Sequence, residues 1–162
     1  MSACGLRGAL VKVLVDTNVW LDLALGRSPF ADDAEAAVGI CLLDGVEMIV
    51  AGTSLKDVFY LVGRLGDAEK AYDAVRRILE VASIGAVDRP VCESALSLER
   101  PDFEDGIIAA VALAEQCDVV MSRDASAFRS LPVRRLAPDE FVRDCGYESV
   151  SVSELLDEAC EG

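Results

Sequence analysis

Short β-branched apolar runs alternate with helical apolar stripes along this chain, and that alternation admits few architectures. VKVLV at 11–15, EMIVA at 47–51 and VVMS at 119–122 read as buried strands. VRRLA at 133–137 is a weaker strand, and SIGAV at 83–87 a short segment between helices. Between them apolar residues recur at spacings of three and four. One helix runs from Val19 to Leu25 and closes at Gly26, and another spans 31–45. After the second strand, Thr53 or Ser54 caps a helix whose stripe is Leu55, Val58, Phe59, Val62 and Leu65. Further helices are expected at 67–82, at 90–99, from Asp102 through Cys117, and from Pro138 to Cys145. Strands joined through helices predict an α/β fold: a single-domain three-layer sandwich, with a central parallel sheet of four to five strands and helices on both faces. The expected boundaries are a leader at 1–10, one domain at 11–145 and an acidic tail at 146–162.

Composition removes whole classes of chemistry. The chain has no histidine, so it has no Ser-His-Asp triad, no Cys-His pair and no Cys/His zinc finger. Its six cysteines form no CxxC pair and read as free thiols. No run approaches the roughly 20 apolar residues of a spanning helix, and the first residues lack the apolar core of a secretory signal. The expectation is a cytoplasmic protein that does not enter a membrane. The net charge is −14, and residues 139–162 carry eight acids and one base. Such a chain does not attract nucleic acid by its overall field. Acid–base or metal chemistry has to come from carboxylates.

Asp16 follows the first strand, Asp57 lies in the first helical turn after the second, and Asp124 follows the third. In an open parallel sheet those strand ends share one edge, where ligands bind. Asp105 joins them if the helix that begins at Asp102 starts at the same edge. Converging carboxylates repel, and a hard divalent cation with oxygen ligands resolves the repulsion. Each acid also has an ordinary explanation. Ser54-x-x-Asp57 and Asp102-x-x-Asp105 fit helix caps, and Asp124 fits a cap on the turn towards Phe128. Asp16 is harder to explain away, because it ends a buried strand beside Thr17 and Asn18. Asp22, Asp32 and Asp33 read as solvated helix faces.

The strings VLVDTNVWLD, TSLKDVFYLV at 53–62 and DFEDGIIAAVALAEQCDVVMSRD at 102–124, in this order and followed by Phe128, resemble the PIN domain family. The likeness extends over about residues 11–145 and is nearest to stand-alone bacterial PIN proteins similar to VapC toxins. It implies a Mg²⁺- or Mn²⁺-dependent endoribonuclease, the toxin of a toxin–antitoxin pair, with RNA as substrate and a cognate antitoxin as partner. Carried over by position, Asp16, Asp57, Asp105 and Asp124 match the catalytic acids, and Asp16, Asp105 and Asp124 the metal ligands. Asn18 and Ser122 match the polar residues that support them. Asp57 stands where the family more often has Glu, and Gly106 where a better helix former is usual. Arg123, Lys56 and Arg27 lie beside the site in sequence as candidate contacts to the RNA backbone, or as ordinary surface ion pairs. Relatives commonly pair, and an apolar helix face near 53–79 suits a homodimer.

Other readings have less in their favour. A haloacid-dehalogenase-like phosphatase needs a second Asp at position 18, which is Asn. A receiver domain needs an acidic pair ahead of Asp16, and no GxGxxG or GxxxxGK[ST] is present. The remaining alternative is a non-catalytic PIN-fold module that binds RNA or protein, for which Asp57 in place of Glu is the best argument.

Overall fold

The computed structural model describes residues 11–98 and 102–147. The expected leader, and the expected tail beyond residue 147, lie outside the described residues. Five strands form one sheet: β1 (Lys12–Val15), β2 (Glu47–Ala51), β3 (Ala82–Gly85), β4 (Val119–Met121) and β5 (Arg134–Leu136). All neighbours are parallel, in the order β3-β2-β1-β4-β5. Around the sheet lie α1 (Thr17–Leu25), α2 (Phe30–Leu43), α3 (Gly52–Leu65), α4 (Ala68–Val81), α5 (Arg89–Ser97), α6 (Phe103–Ala114) and α7 (Pro138–Asp144). None of these helices is long and apolar enough to cross a membrane.

The period of two along each strand divides the core into two layers. Val13, Val15, Met48, Val50, Val119 and Met121 face one side, against residues of α1, α2, α3, α4 and α7. Leu14, Ile49, Ala51 and Val120 face the other, against α5, α6 and Phe128. The three-layer α/β expectation therefore holds, with the sheet at its upper strand count. Cys41 and Cys117 are buried free thiols, Cys92 is half-buried and also free, and Cys145 is buried.

Several local expectations shift. SIGAV is more than a connector: Ala82–Gly85 pairs with β2 and forms an edge strand. Its outward Ser83 and Ile84 are exposed, so it lacks the apolar run that marks a central strand. The helix expected to reach Cys117 ends at Ala114, and Gln116 turns the chain out with a left-handed φ of 56°. Neither Thr53 nor Ser54 caps α3. That helix starts at Gly52, and the buried Ser54 hydroxyl instead accepts a 2.8 Å bond from Thr17 Oγ1, tying α3 to α1. At position 106, a Cβ would stand 3.1 Å from the Ala95 carbonyl oxygen, so Gly106 lets α6 lie close against α5.

Chain order and sheet order diverge between β1 and β4. The chain leaves β1 for β2 and β3 on one side, then returns to β4 and β5 on the other. A crevice opens outside the strand ends at such a switch point.

Candidate active site

Asp16 sits at that switch point. It follows β1, its backbone N–H bonds to the Met121 carbonyl at the end of β4 (2.9 Å), and it is the N-cap of α1. Three donors hold its carboxylate. Oδ1 accepts from the Thr17 N–H at 2.7 Å, and Oδ2 accepts from Ser122 Oγ at 2.7 Å and Asn18 Nδ2 at 2.9 Å. The residue is only 6% exposed. Burial pushes its carboxyl pKa up, while the bonds from Ser122 and Thr17 act the other way. The positive end of α1 also favours the anion.

Asn18 and Ser122 form one unit with it. Asn18 Nδ2 also donates to Ser122 Oγ at 3.2 Å, and Ser122 Oγ accepts the Asp124 N–H at 3.1 Å. The register of β1 on β4, Val15 opposite Met121, brings these residues together across about a hundred positions of sequence.

Asp105 enters from the other layer. Asp102 caps α6 by accepting the Asp105 N–H at 2.9 Å, which leaves the Asp105 carboxylate outside the capping bond. Its pKa is pushed up to about 6, first by burial and then by Asp102, Asp16, Asp124 and Glu104. Asp16, Asn18, Asp57, Glu104 and Asp105 line one cleft of about 310 Å³, with Tyr60 and Leu61 on its wall. Glu104 is a member of the cleft that is absent from the acids singled out in the sequence. Burial and then Asp57 raise its pKa, and Asp16 adds to the effect. The available signal was its place beside Asp105 in the first turn of α6.

Asp124 is not in the cleft wall. Its Oδ1 caps the next turn, accepting from Ser126 N (2.9 Å), Ser126 Oγ (2.7 Å) and Ala127 N (3.1 Å). Those bonds hold its pKa below the usual value. Its charge still acts on both Asp16 and Asp105.

The candidate basic residues are each already paired with an acid. Lys56 Nζ lies 2.6 Å from Asp57 Oδ1. Arg123 donates to Asp22 through Nε at 2.6 Å and NH2 at 3.1 Å, and its Cζ lies 4.0 Å from the centroid of the Phe30 ring. Arg27 approaches Asp22 at 3.9 Å. Asp22 is therefore not a solvated acid: it is 0% exposed, on the inner face of α1, with Arg123 as its counter-ion. Asp32 and Asp33 are exposed as expected.

Among the described residues, no three Asp, Glu or Cys side chains close a ready ligand cage for a metal ion. The donor chemistry nevertheless fits a hard cation. Mg²⁺ characteristically takes one or two carboxylates, keeps several waters and shares substrate phosphate oxygens. Asp16 and Asp105 supply such oxygens in one cleft, and Asp102, Asp16, Asp124 and Glu104 add to burial in raising the Asp105 pKa.

A family model described as PIN domain matches residues 12–126. The fold is similar to VapBC2 from Rickettsia felis, solved bound to a DNA fragment from its promoter (TM-score 0.62, 13% identity, 78% of this chain and 98% of that one). It is also similar to VapC20 of Mycobacterium tuberculosis, described as a Sarcin-Ricin loop cleaving toxin (TM-score 0.60, 16% identity, 73% and 94%). A toxin–antitoxin complex from Klebsiella pneumoniae aligns with a TM-score of 0.58 at 19% identity, over 78% of this chain and 97% of that one. At these identities the likeness is one of fold. No curated protein matches the chain in sequence.

Proposed function

The chain belongs to the PIN domain family, and from that premise we propose that it is a Mg²⁺- or Mn²⁺-dependent endoribonuclease, the toxin of a type II toxin–antitoxin pair. The observation that carries this reading is the meeting of Asp16 and Asp105 in one cleft at the sheet's switch point, with Glu104 and Asp57 beside them. In this reading Asp16, Asp105 and Asp124 hold the cation and Asp57 acts next to them. Asn18 and Ser122 fix the Asp16 carboxylate so that both oxygens keep one orientation. When bound, a divalent cation supplies Lewis-acid stabilisation of phosphate charge and lowers the pKa of water. Asp105, with its pKa near 6, then carries its charge at neutral pH against its surroundings, which favours cation uptake.

The description of the Mycobacterium tuberculosis protein as a Sarcin-Ricin loop cleaving toxin supports RNA as the substrate. The Rickettsia and Klebsiella complexes support a cognate antitoxin as partner; at the acidic edge such a partner would insert an Arg or an apolar helix. The reading places the protein in the cytoplasm. Exposed Phe59, Leu65, Tyr72 and Leu79 on α3 and α4 support pairing of two copies.

Incubation of single-stranded RNA with the purified protein tests the activity. Cleavage is expected with Mn²⁺ or Mg²⁺, and neither in EDTA nor with Asp16→Asn. Equal cutting by the parent and the variant, with contaminating nuclease excluded, would overturn the assignment of Asp16.

A further inference from the structure

The cleft is acidic and the whole chain carries −14, so a polyanionic strand needs a local cation on its way in. Arg123 and Arg27 face the buried Asp22 and do not meet this need. The outer face of α3 does. Lys56, Tyr60 and Arg64 are spaced by four residues and form one stripe along the helix, about 12 Å long. Lys56 is 77% exposed and Tyr60 56%, and Arg64 is exposed as well.

The stripe starts at the cleft. Lys56 pairs with its neighbour Asp57 at 2.6 Å, and Asp57 and Tyr60 are both part of the cleft wall, so Arg64 is the cation of the stripe that is not matched by an acid there. One turn further out, Arg64 NH1 donates to the Tyr60 hydroxyl at 3.3 Å, and its Cζ lies 5.7 Å from the ring centroid. Among the described residues Arg64 has no carboxylate partner. Arg76 makes a similar contact with the Tyr72 ring on α4, at 5.8 Å, but there Asp73 neutralises the guanidinium at 2.8 Å. One turn out from the cleft the Arg64 guanidinium is not offset in this way, and it lies next to an exposed aromatic ring.

We propose that Lys56, Tyr60 and Arg64 form a track for single-stranded RNA leading out of the carboxylate cleft. Tyr60 stacks on the base next to the scissile linkage, and Arg64 binds the phosphate beyond it. Aromatic stacking tolerates any base and needs that base unstacked, so the track selects single strands or loops over duplex. The inference rests on the ribonuclease reading of the cleft.

The test uses the full chain carrying Asp16→Asn, so that bound strands stay intact. Fluorescence anisotropy follows a labelled single-stranded RNA 12-mer of mixed sequence, alone and annealed to its complement, over a range of salt. The single strand is expected to bind more tightly than the duplex. Adding Tyr60→Leu should weaken single-strand binding by about fivefold or more, while Tyr60→Phe, which keeps the ring, should stay within about twofold. Arg64→Gln should weaken it and lower the slope of log affinity on log salt by about 0.7. Unchanged binding in Tyr60→Leu and Arg64→Gln overturns the track, as does equal loss in Tyr60→Leu and Tyr60→Phe. A change in self-association alone overturns it too, and makes the stripe a protein contact. If the unsubstituted protein cuts RNA in an Asp16-dependent way while the stripe variants bind as before, the track falls and the ribonuclease reading stands. If the unsubstituted protein neither binds nor cuts RNA, both fall.

Discussion

Arg123 closes on Asp22 through two hydrogen bonds, and the Asp22 side chain has no exposed surface. The pair fastens the segment after β4, which carries Ser122 and Asp124, to α1, which carries Asn18. Removing Arg123 leaves the buried Asp22 charge with only Arg27, at 3.9 Å and without a hydrogen bond, and taking the main partner from a buried charge typically costs about 3 kcal/mol or more. Arg123→Met is therefore expected to lower Tm by roughly 6–12 °C. Asp22→Leu with Arg123→Met should recover part of that loss, because no orphan charge remains. Thermal melts of the single and double variants check this. A single variant that melts with the parent would show that the pair holds nothing in place.

Ser122 is expected to matter beyond its size. Its buried hydroxyl donates to Asp16 Oδ2 and accepts from Asn18 and from the Asp124 N–H. A hydrogen bond to a charged group contributes about 2 kcal/mol, so Ser122→Ala should melt about 4–8 °C lower in chelator at neutral pH. It should also bind Mn²⁺ more weakly in a calorimetric titration, since Asp16 loses a fixed orientation. Parent-like melting and parent-like affinity together would contradict this role.

The metal-free protein should be more stable in mild acid than at neutral pH. Asp105 has an ordinary pKa of 3.8 in the unfolded chain and about 6 in the fold. Between those values the folded state binds a proton that the unfolded state does not. That contribution is present as pH falls into the window and is lost as pH rises through about 6. The raised carboxyls of Asp16 and Glu104 act in the same direction, and the depressed Asp124 acts only at lower pH. Melts in EDTA should therefore show a higher Tm at pH 5 than at pH 7, with a smaller difference in Asp105→Asn. A flat or opposite profile in the parent would contradict the crowding of these acids.

The sheet was legible because β1, β2 and β4 are short apolar runs bounded by helices, and a parallel sheet buries both faces of such runs. Asp16 was legible because a charged residue directly after a buried strand has few ordinary explanations. The misreadings arise where a partner lies far away in sequence. Asp22 falls three residues after Val19, on the buried stripe of α1, but its counter-ion is 101 residues further on. Ser54 has the spacing of a cap, and its hydroxyl meets Thr17 across 37 residues. Glu104 differs, since it stands next to Asp105. Which of two adjacent first-turn acids enters a cleft depends on how α6 is rotated against the sheet, and here both do.

Uptake of a divalent cation by the Asp16–Asp105 cleft is measured directly by a thermal melt at fixed ionic strength, in EDTA and then in millimolar Mn²⁺ or Mg²⁺. A cation that binds only the folded site stabilises by mass action, by about 2.7 kcal/mol at 100 times Kd. The parent is expected to gain roughly 5–10 °C, and Asp16→Asn to gain little. No metal-dependent shift in the parent, or an equal shift in the variant, would contradict a cation site at these acids.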